Sequence, residues 1–125
     1  MTDRITLTGL RVWGNHGVFD HEKQDGQEFL VDITVWIDLN RAGETDDLAD
    51  TVDYGGLAQL AHDVVGGEAC DLIETPATII AEKIMADPRL HAAEVTIHKP
   101  SAPIPLAFAD VAVTVRRSRR AGRRG

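Results

Sequence analysis

Phe29-Leu30-Val31-Asp32-Ile33-Thr34-Val35-Trp36-Ile37-Asp38-Leu39 places an apolar residue at every second position, from Phe29 through Val31, Ile33, Val35 and Ile37 to Leu39. A period of two held over eleven residues describes a strand with one face in a core and the other mostly polar. Upstream, Arg4 to Trp13 alternates in two phases, Ile5 and Leu7 in one and Leu10 and Val12 in the other, with the switch at Gly9. That predicts a strand interrupted by a bulge. The turn-rich segment from Gly14 to Gly26 joins the two strands and is longer than a tight hairpin needs. Surplus loop of this kind often carries function.

Downstream, an acidic connection from Glu44 to Asp53 leads to Leu57, Leu60, Ala61, Val64 and Val65 at helical spacing, stopped by Gly66 and Gly67. A second helical pattern holds Ala77, Ile80, Ala81 and Ile84 and ends near Asp87 and Pro88. Its start has two readings: Asp71 with Glu74 as a capping box, or Thr75 and Pro76 as N-cap and first helical residue. Both put Glu74 at the N-terminal end of a helix. Val95 and Ile97 alternate with Thr96 and His98, and after a proline-rich link Val111, Val113 and Val115 alternate with Ala112 and Thr114. The order is therefore ββααββ, an α+β domain with two helices on one face of a four-stranded antiparallel sheet.

A length of 125 residues is one domain's worth, and a hydrophobic fraction of 43% is that of a globular chain. The net charge of −7 is unevenly spread: six of the thirteen cations are arginines from Arg116 onward, where no acid occurs. The other seven face all twenty acids, so residues 1–115 carry −13. A body so acidic repels phosphate and is a poor partner for nucleic acid or an anionic membrane. Residues 1–117 read as the domain and 118–125 as an arginine-rich, disordered tail. Cys70 is the single cysteine, which excludes an intrachain disulfide and fits a reducing, cytoplasmic setting. No stretch approaches the length of a membrane span and no apolar leader is visible, so a soluble protein is expected.

Four spots could carry chemistry: Gly14-Asn15-His16-Gly17 with Glu22, Thr51-Val52-Asp53-Tyr54, Leu72-Ile73-Glu74, and His98-Lys99-Pro100 through Pro105. Singly, each has a bland reading. Glu22 in a loop is ordinarily a solvated charge, Tyr54 ahead of a helix an anchoring aromatic, Lys99 a strand terminator and Glu74 a group that offsets the helix dipole. His16, His21 and His98 are scattered and form no paired metal-ligand spacing.

Together and in this order, the four motifs resemble the dihydroneopterin aldolase family of folate biosynthesis, from about Asp3 to Arg117. The residues that carry the resemblance are Gly14-x-His16-Gly17 with Glu22, Asp50-Thr51-Val52-Asp53-Tyr54, Leu72-Ile73-Glu74, and Lys99-Pro100-Ser101-Ala102-Pro103-Ile104-Pro105. The resemblance implies the tunnelling fold, in which ββααββ subunits join their sheets around a ring, usually a tetramer and commonly two rings stacked as an octamer. It implies a pterin substrate and no cofactor or metal.

By the same resemblance Glu74 is the pterin anchor. The exocyclic amino group and adjacent ring N–H of a pterin form a two-donor fork that a carboxylate accepts in parallel, and backbone groups around Leu72 and Ile73 would meet the ring carbonyl. Lys99 and Glu22 resemble the catalytic pair beside the trihydroxypropyl side chain. Tyr54 resembles the family tyrosine that handles protons, and it would come from a neighbouring subunit with Thr51, Val52 and Asp53. The dihydropterin brings its own electron sink, a C=N bond next to the side chain. The protein then needs a base for the hydroxyl proton and a donor near the ring nitrogen, roles that fit Lys99 and Glu22, and an acid for the enamine carbon, which fits Tyr54.

Two departures stand against the family pattern: Asp53 occupies a position where some members have histidine, and Pro76 would break a helix begun at Asp71. Cys70 near the expected pocket reads as an inert thiol, since no base is paired with it. Four other readings compete, one of them nucleic-acid binding through the arginine tail, which would show a salt-sensitive affinity lost on deleting residues 116–125. A dihydroneopterin triphosphate epimerase of the same fold would need more cations near the pocket than Arg4, Arg11, Arg41, Arg89, Lys23, Lys83 and Lys99 offer. A zinc-dependent pyruvoyl-tetrahydropterin synthase type needs three converging histidines. A non-catalytic pterin-binding ring protein would keep the fold without the reaction. Reversal of the cleavage after rotation of the aldehyde would invert one carbinol centre, so epimerase side activity is expected.

Overall fold

The computed structural model describes residues 3–119. In chain order the elements are β1 (Arg4–Gly14), α1 (Asp20–Asp25), β2 (Gln27–Trp36), α2 (Asn40–Thr45), a 3-10 turn (Leu48–Asp50), α3 (Tyr54–Val65), α4 (Glu74–Ile84), β3 (Ala92–His98) and β4 (Ala112–Ser118). The strands form one sheet in the order β1-β2-β3-β4, antiparallel throughout. This is the expected α+β architecture, with α3 and α4 on one face. The other helical pieces are short additions inside the connections.

The alternation in β2 does what its period requires. Phe29, Val31, Ile33 and Val35 are fully buried, and across the register Val31 meets Ile97, Ile33 meets Val95 and Val35 meets Ala93, all buried as well. Leu57, Ala61 and Val65 of α3 and Ala77, Ile80, Ala81 and Ile84 of α4 close this layer from the helix side. Each large aliphatic side chain taken out of water here contributes about 1.5–3 kcal/mol before entropy is charged against it. The bulge falls where the phase switches. Leu7 pairs with Ile33 but Leu10 pairs with Val31, leaving two residues of β1 opposite Asp32. Gly9 takes φ +75°, a left-handed conformation, and its N–H donates to Asp32 Oδ1 at 2.8 Å.

Three local expectations are adjusted. β2 ends at Trp36, because past it the Ile37 and Leu39 amides turn to the Asp3 carbonyl and carboxylate (3.2 and 3.1 Å) and α2 begins at Asn40. α4 begins at Glu74 with Ile73 as N-cap, so neither capping reading holds. Pro76 is then the third helical residue, where its missing N–H is one of the first-turn amides that have no intrahelical partner anyway. The chain remains ordered past 117: Ser118 closes β4, and Arg119 donates to the carbonyls of Met85, Asp87 and Leu90 at 2.8, 3.0 and 3.1 Å. Residues 120–125 of the arginine tail lie outside the described part.

Candidate active site

The loop from Gly14 to Gly26 contains a short helix, and that helix aims Glu22. Glu22 is the third residue of α1, and its Oε1 turns back to accept the N–H of the N-cap Phe19 at 3.3 Å, half of a capping box. Its Oε2 accepts Gln27 Nε2 at 3.2 Å and Lys99 Nζ at 2.7 Å. The Glu22 and Lys99 side chains are only 3% and 13% exposed. Burial pushes the Glu22 carboxyl up, but the Lys99 hydrogen bond, the Phe19 amide and the Gln27 amide together hold it below its ordinary value. Glu22 is therefore a carboxylate at neutral pH, fixed by three donors. Gly17 lies against it: a Cβ at that position would fall on the carboxylate itself.

Lys99 leaves β3 at its C-terminal end, with its N–H donating to the Val111 carbonyl at 2.7 Å and its carbonyl accepting the Ala102 N–H at 3.1 Å. The turn brings Ala102, Pro103 and Ile104 over a recess of about 370 Å³, whose other walls include Glu22, Leu72, Ile73, Glu74 and Lys99. Five of the expected site residues thus meet in one pocket within a single chain, with a volume in the usual range for small-molecule sites. Ile73 is buried, whereas Leu72 and Glu74 face the opening. Glu74 opens α4, where the amide dipoles favour a negative charge, and it makes no ion pair among the described residues.

His16 explains how the loop ahead of Glu74 is held. Its ring is fully buried, with Nε2 on the Val65 carbonyl at 2.6 Å and Nδ1 on the Cys70 N–H at 3.0 Å, contacts that fit the neutral tautomer with the proton on Nε2. Burial pulls its pKa down against the Val65 hydrogen bond, and the nearby Lys99 charge lowers it further. With Gly17 N–H on the Cys70 carbonyl at 2.9 Å, the Gly14–Gly17 loop, the end of α3 and the approach to Leu72 are locked together. Burial pushes the Cys70 thiol up, toward an unreactive protonated form.

The remaining expected residues, Thr51, Val52, Asp53 and Tyr54, stand apart from this pocket. Val52 is buried in the chain's own core, and Asp53 is the N-cap of α3, its Oδ1 accepting the Gly55 N–H at 3.0 Å. Thr51 and Tyr54 line a separate recess with Ala42, Asp46, Asp47 and Leu48. Tyr54 is 65% exposed in the single chain. Arg89 fixes the segment, donating to the carbonyls of Ala49 and Thr51 at 3.2 and 3.0 Å while paired with Asp87 at 2.8 Å. Sequence reading passed over Gln27, Arg89 and the structural part of His16. Gln27 and Arg89 carry no pattern of their own: Gln27 gains its role from Glu22 on the neighbouring α1, and Arg89 from carbonyls on a distant stretch of the chain.

Comparison with known proteins supplies a family. The pattern described as dihydroneopterin aldolase matches residues 5–116. A dihydroneopterin aldolase of Streptomyces coelicolor is 48% identical over 117 residues, covering 94% of this chain and 98% of the relative. One from Bacillus subtilis is 37% identical over 118 residues, with 94% and 98% covered. In three dimensions the chain resembles a dihydroneopterin aldolase of E. coli, solved in complex with neopterin, at a TM-score of 0.85 and 28% identity, covering 94% of this chain and all of that one. A uricase from Bacillus fastidious shares the fold at a TM-score of 0.70 but only 10% identity, and this chain spans about half of it (48%).

Proposed function

The chain belongs to the dihydroneopterin aldolase family, and from that premise we propose that the Lys99–Glu22 pocket cleaves 7,8-dihydroneopterin into 6-hydroxymethyl-7,8-dihydropterin and glycolaldehyde, a carbon–carbon lyase step of folate biosynthesis. The observation that carries the reading is the buried pair of Lys99 Nζ and Glu22 Oε2, 2.7 Å apart, in the same recess as the unpaired Glu74 carboxylate.

Glu74 accepts the amino and ring N–H fork of the pterin, and the backbone around Leu72 and Ile73 meets the ring carbonyl. The side-chain hydroxyl gives its proton to the ionised Glu22, directly or through water. Its oxygen becomes the carbonyl of glycolaldehyde as the adjacent carbon–carbon bond breaks. The electron pair of that bond moves into the C=N of the dihydropterin, and the Lys99 ammonium donates to the ring nitrogen that gains charge. A proton then returns to the enamine carbon from Tyr54, and loss of the nitrogen-bound proton restores the C=N.

Tyr54 reaches the pocket from a neighbouring subunit, with Thr51, Val52 and Asp53 beside it. Its exposure supports this, as do the outer sides of β1 and β4, left unpaired at the two edges of the sheet. Closing β4 of one subunit against β1 of the next gives the tetrameric ring, and two rings the octamer. The catalytic domain on this reading runs through Arg119, with the rest of the arginine tail beyond it, and the cytoplasm is its compartment. No helix of the described residues is long and apolar enough to cross a membrane.

Anaerobic incubation with 7,8-dihydroneopterin, with and without a chelator, tests the proposal by chromatography of both products. Equal yields of glycolaldehyde and 6-hydroxymethyl-7,8-dihydropterin are expected, unaffected by chelation and reduced at least about a thousandfold in Lys99→Ala with folding intact. Formation of an epimer alone would move the assignment to an epimerase, and bound pterin without turnover would leave a binding protein.

A further inference from the structure

His98 immediately precedes Lys99, and its side chain plays no part in the chemistry above. By strand alternation Ile97 and Lys99 lie on the helix side of the sheet, and His98 lies on the other face. There both ring nitrogens are engaged. Nε2 meets Asp32 Oδ2 at 2.7 Å, and Nδ1 meets Asp110 Oδ2 at 2.7 Å. Asp32 belongs to β2 and is itself fixed, because its other oxygen accepts the N–H of the bulge residue Gly9 at 2.8 Å. Asp110 belongs to the far end of the loop that starts at Lys99 and roofs the pocket with Ala102, Pro103 and Ile104. One ring thus joins the sheet to both ends of that loop.

We propose that His98 is a positioning residue for Lys99: bridging Asp32 and Asp110 from the outer face, it straps the base of the 99–111 loop so that the Lys99 amine and the Ala102–Ile104 roof are held in place. The proposal rests on the reading of Lys99 as the group that donates to the pterin ring nitrogen. Mechanically, the strap works in parallel with the Lys99 N–H to Val111 carbonyl bond at 2.7 Å, the one backbone bond that closes the loop next to it. The ring adds two side-chain contacts, one to β2 and one to the far end of the loop, to the backbone pairing that flanks His98 on both sides. A small displacement of a reacting group is expensive in rate, which is why the base of such a loop matters.

The bridge is complete when the ring carries both protons, since each carboxylate then accepts from an N–H. The hydrogen bonds from Asp32 and Asp110 raise the pKa of His98 above 6.5 against a smaller effect of burial. The charged groups around the ring are those two carboxylates. On β4 the residue opposite is Ala112, on β2 it is Leu30, and the next charge in that row is Arg11 on β1, two strands away. Because the pKa is raised, the strap is fully present below 6.5 and is lost as pH rises through the raised value. One carboxylate contact then has no proton to accept.

The test compares the full-length chain with His98→Ala, Asp110→Asn and His98→Arg. Turnover of dihydroneopterin is followed from about pH 6 to about pH 9, alongside amide hydrogen exchange at Lys99 and Ala102. His98→Ala and Asp110→Asn are expected to lower kcat by about three- to tenfold, with KM changed by less. Both should raise exchange at the two amides about tenfold, and the part of the alkaline decline due to His98 should disappear. His98→Arg, a cation that does not titrate in this range, should recover most of kcat without that decline. Asp110 lies in an exposed loop, so its variant keeps the test open if His98→Ala folds poorly. Unchanged exchange in the variants overturns the strap, and raised exchange with wild-type kcat and pH profile overturns its role in placing Lys99. If the wild-type chain turns over no dihydroneopterin while exchange responds to His98, the strap stands and the aldolase reading is what fails.

Discussion

Gln27 shows how much of a site is set by a residue with no chemistry of its own. Its Nε2 donates to Glu22 Oε2, while its Oε1 is buried without a hydrogen-bond partner. Gln27→Leu removes a donor to the carboxylate and the orphaned carbonyl together, so the two effects on neutral-pH stability oppose each other and the net change stays within about 1 kcal/mol. The effect on titration has no such offset. Glu22 is held below its ordinary value of 4.5 partly by that amide. Without it the folded pKa rises, and the acid limb of kcat/KM, which reports Glu22 in the free enzyme, moves to higher pH. A pH–rate profile of the variant checks this, and an unmoved acid limb would remove Gln27 from the site. Nothing in the sequence marks Gln27, because an amide at the start of a strand matches no periodicity. Glu22 was legible only through its company, as one member of four ordered motifs.

At the scale of elements, legibility followed pattern length. β2 declares itself by the alternation that starts at Phe29, although that period runs three residues past the end of the strand at Trp36, and the bulge in β1 declares itself by a phase switch at Gly9 that the left-handed glycine then realises. α1, Asp20–Asp25, could not be read from periodicity: six residues of which none is apolar give a helical period nothing to act on. The start of α4 escaped for a different reason. No side chain caps it, so every sequence signal for its first residue pointed to a neighbour. Its end is also handled at a distance, by Arg119, which donates to the carbonyls of Met85, Asp87 and Leu90. A guanidinium there satisfies carbonyls left open at a helix C-terminus and places a positive charge at the negative end of the dipole. Arg119→Ala is expected to cost about 1 kcal/mol, read as a lower urea midpoint at unchanged m-value. Replacing the arginines beyond Arg119 serves as the control for net charge, and an equal loss there would make the effect one of charge alone.

For the whole molecule the sequence could name candidates for the site but not their distances, and within one chain the candidates fall into two groups. Glu22, Lys99, Glu74, Leu72 and Ile73 share a pocket, while Tyr54 stands exposed in a different recess. If one chain were sufficient, Tyr54 would have to cross a surface fixed by Asp53 at the N-cap of α3 and by Arg89 on the carbonyls of Ala49 and Thr51. A shared site needs no such movement, and it makes a prediction that no monomeric enzyme meets. Lys99→Ala and Tyr54→Phe, each impaired alone, should complement when unfolded together and refolded as a mixed ring. In an equal mixture a site takes its lysine from a Tyr54→Phe chain half the time and its tyrosine from a Lys99→Ala neighbour half the time. About a quarter of wild-type activity should therefore return in a closed ring of identical interfaces. Titrating the ratio of the two variants should give a maximum at equal amounts, because the number of intact sites depends on the product of the two fractions. With lysine and tyrosine drawn from the same chain, every site in every mixture carries one defect, and the activity would follow the weighted mean of the two parents.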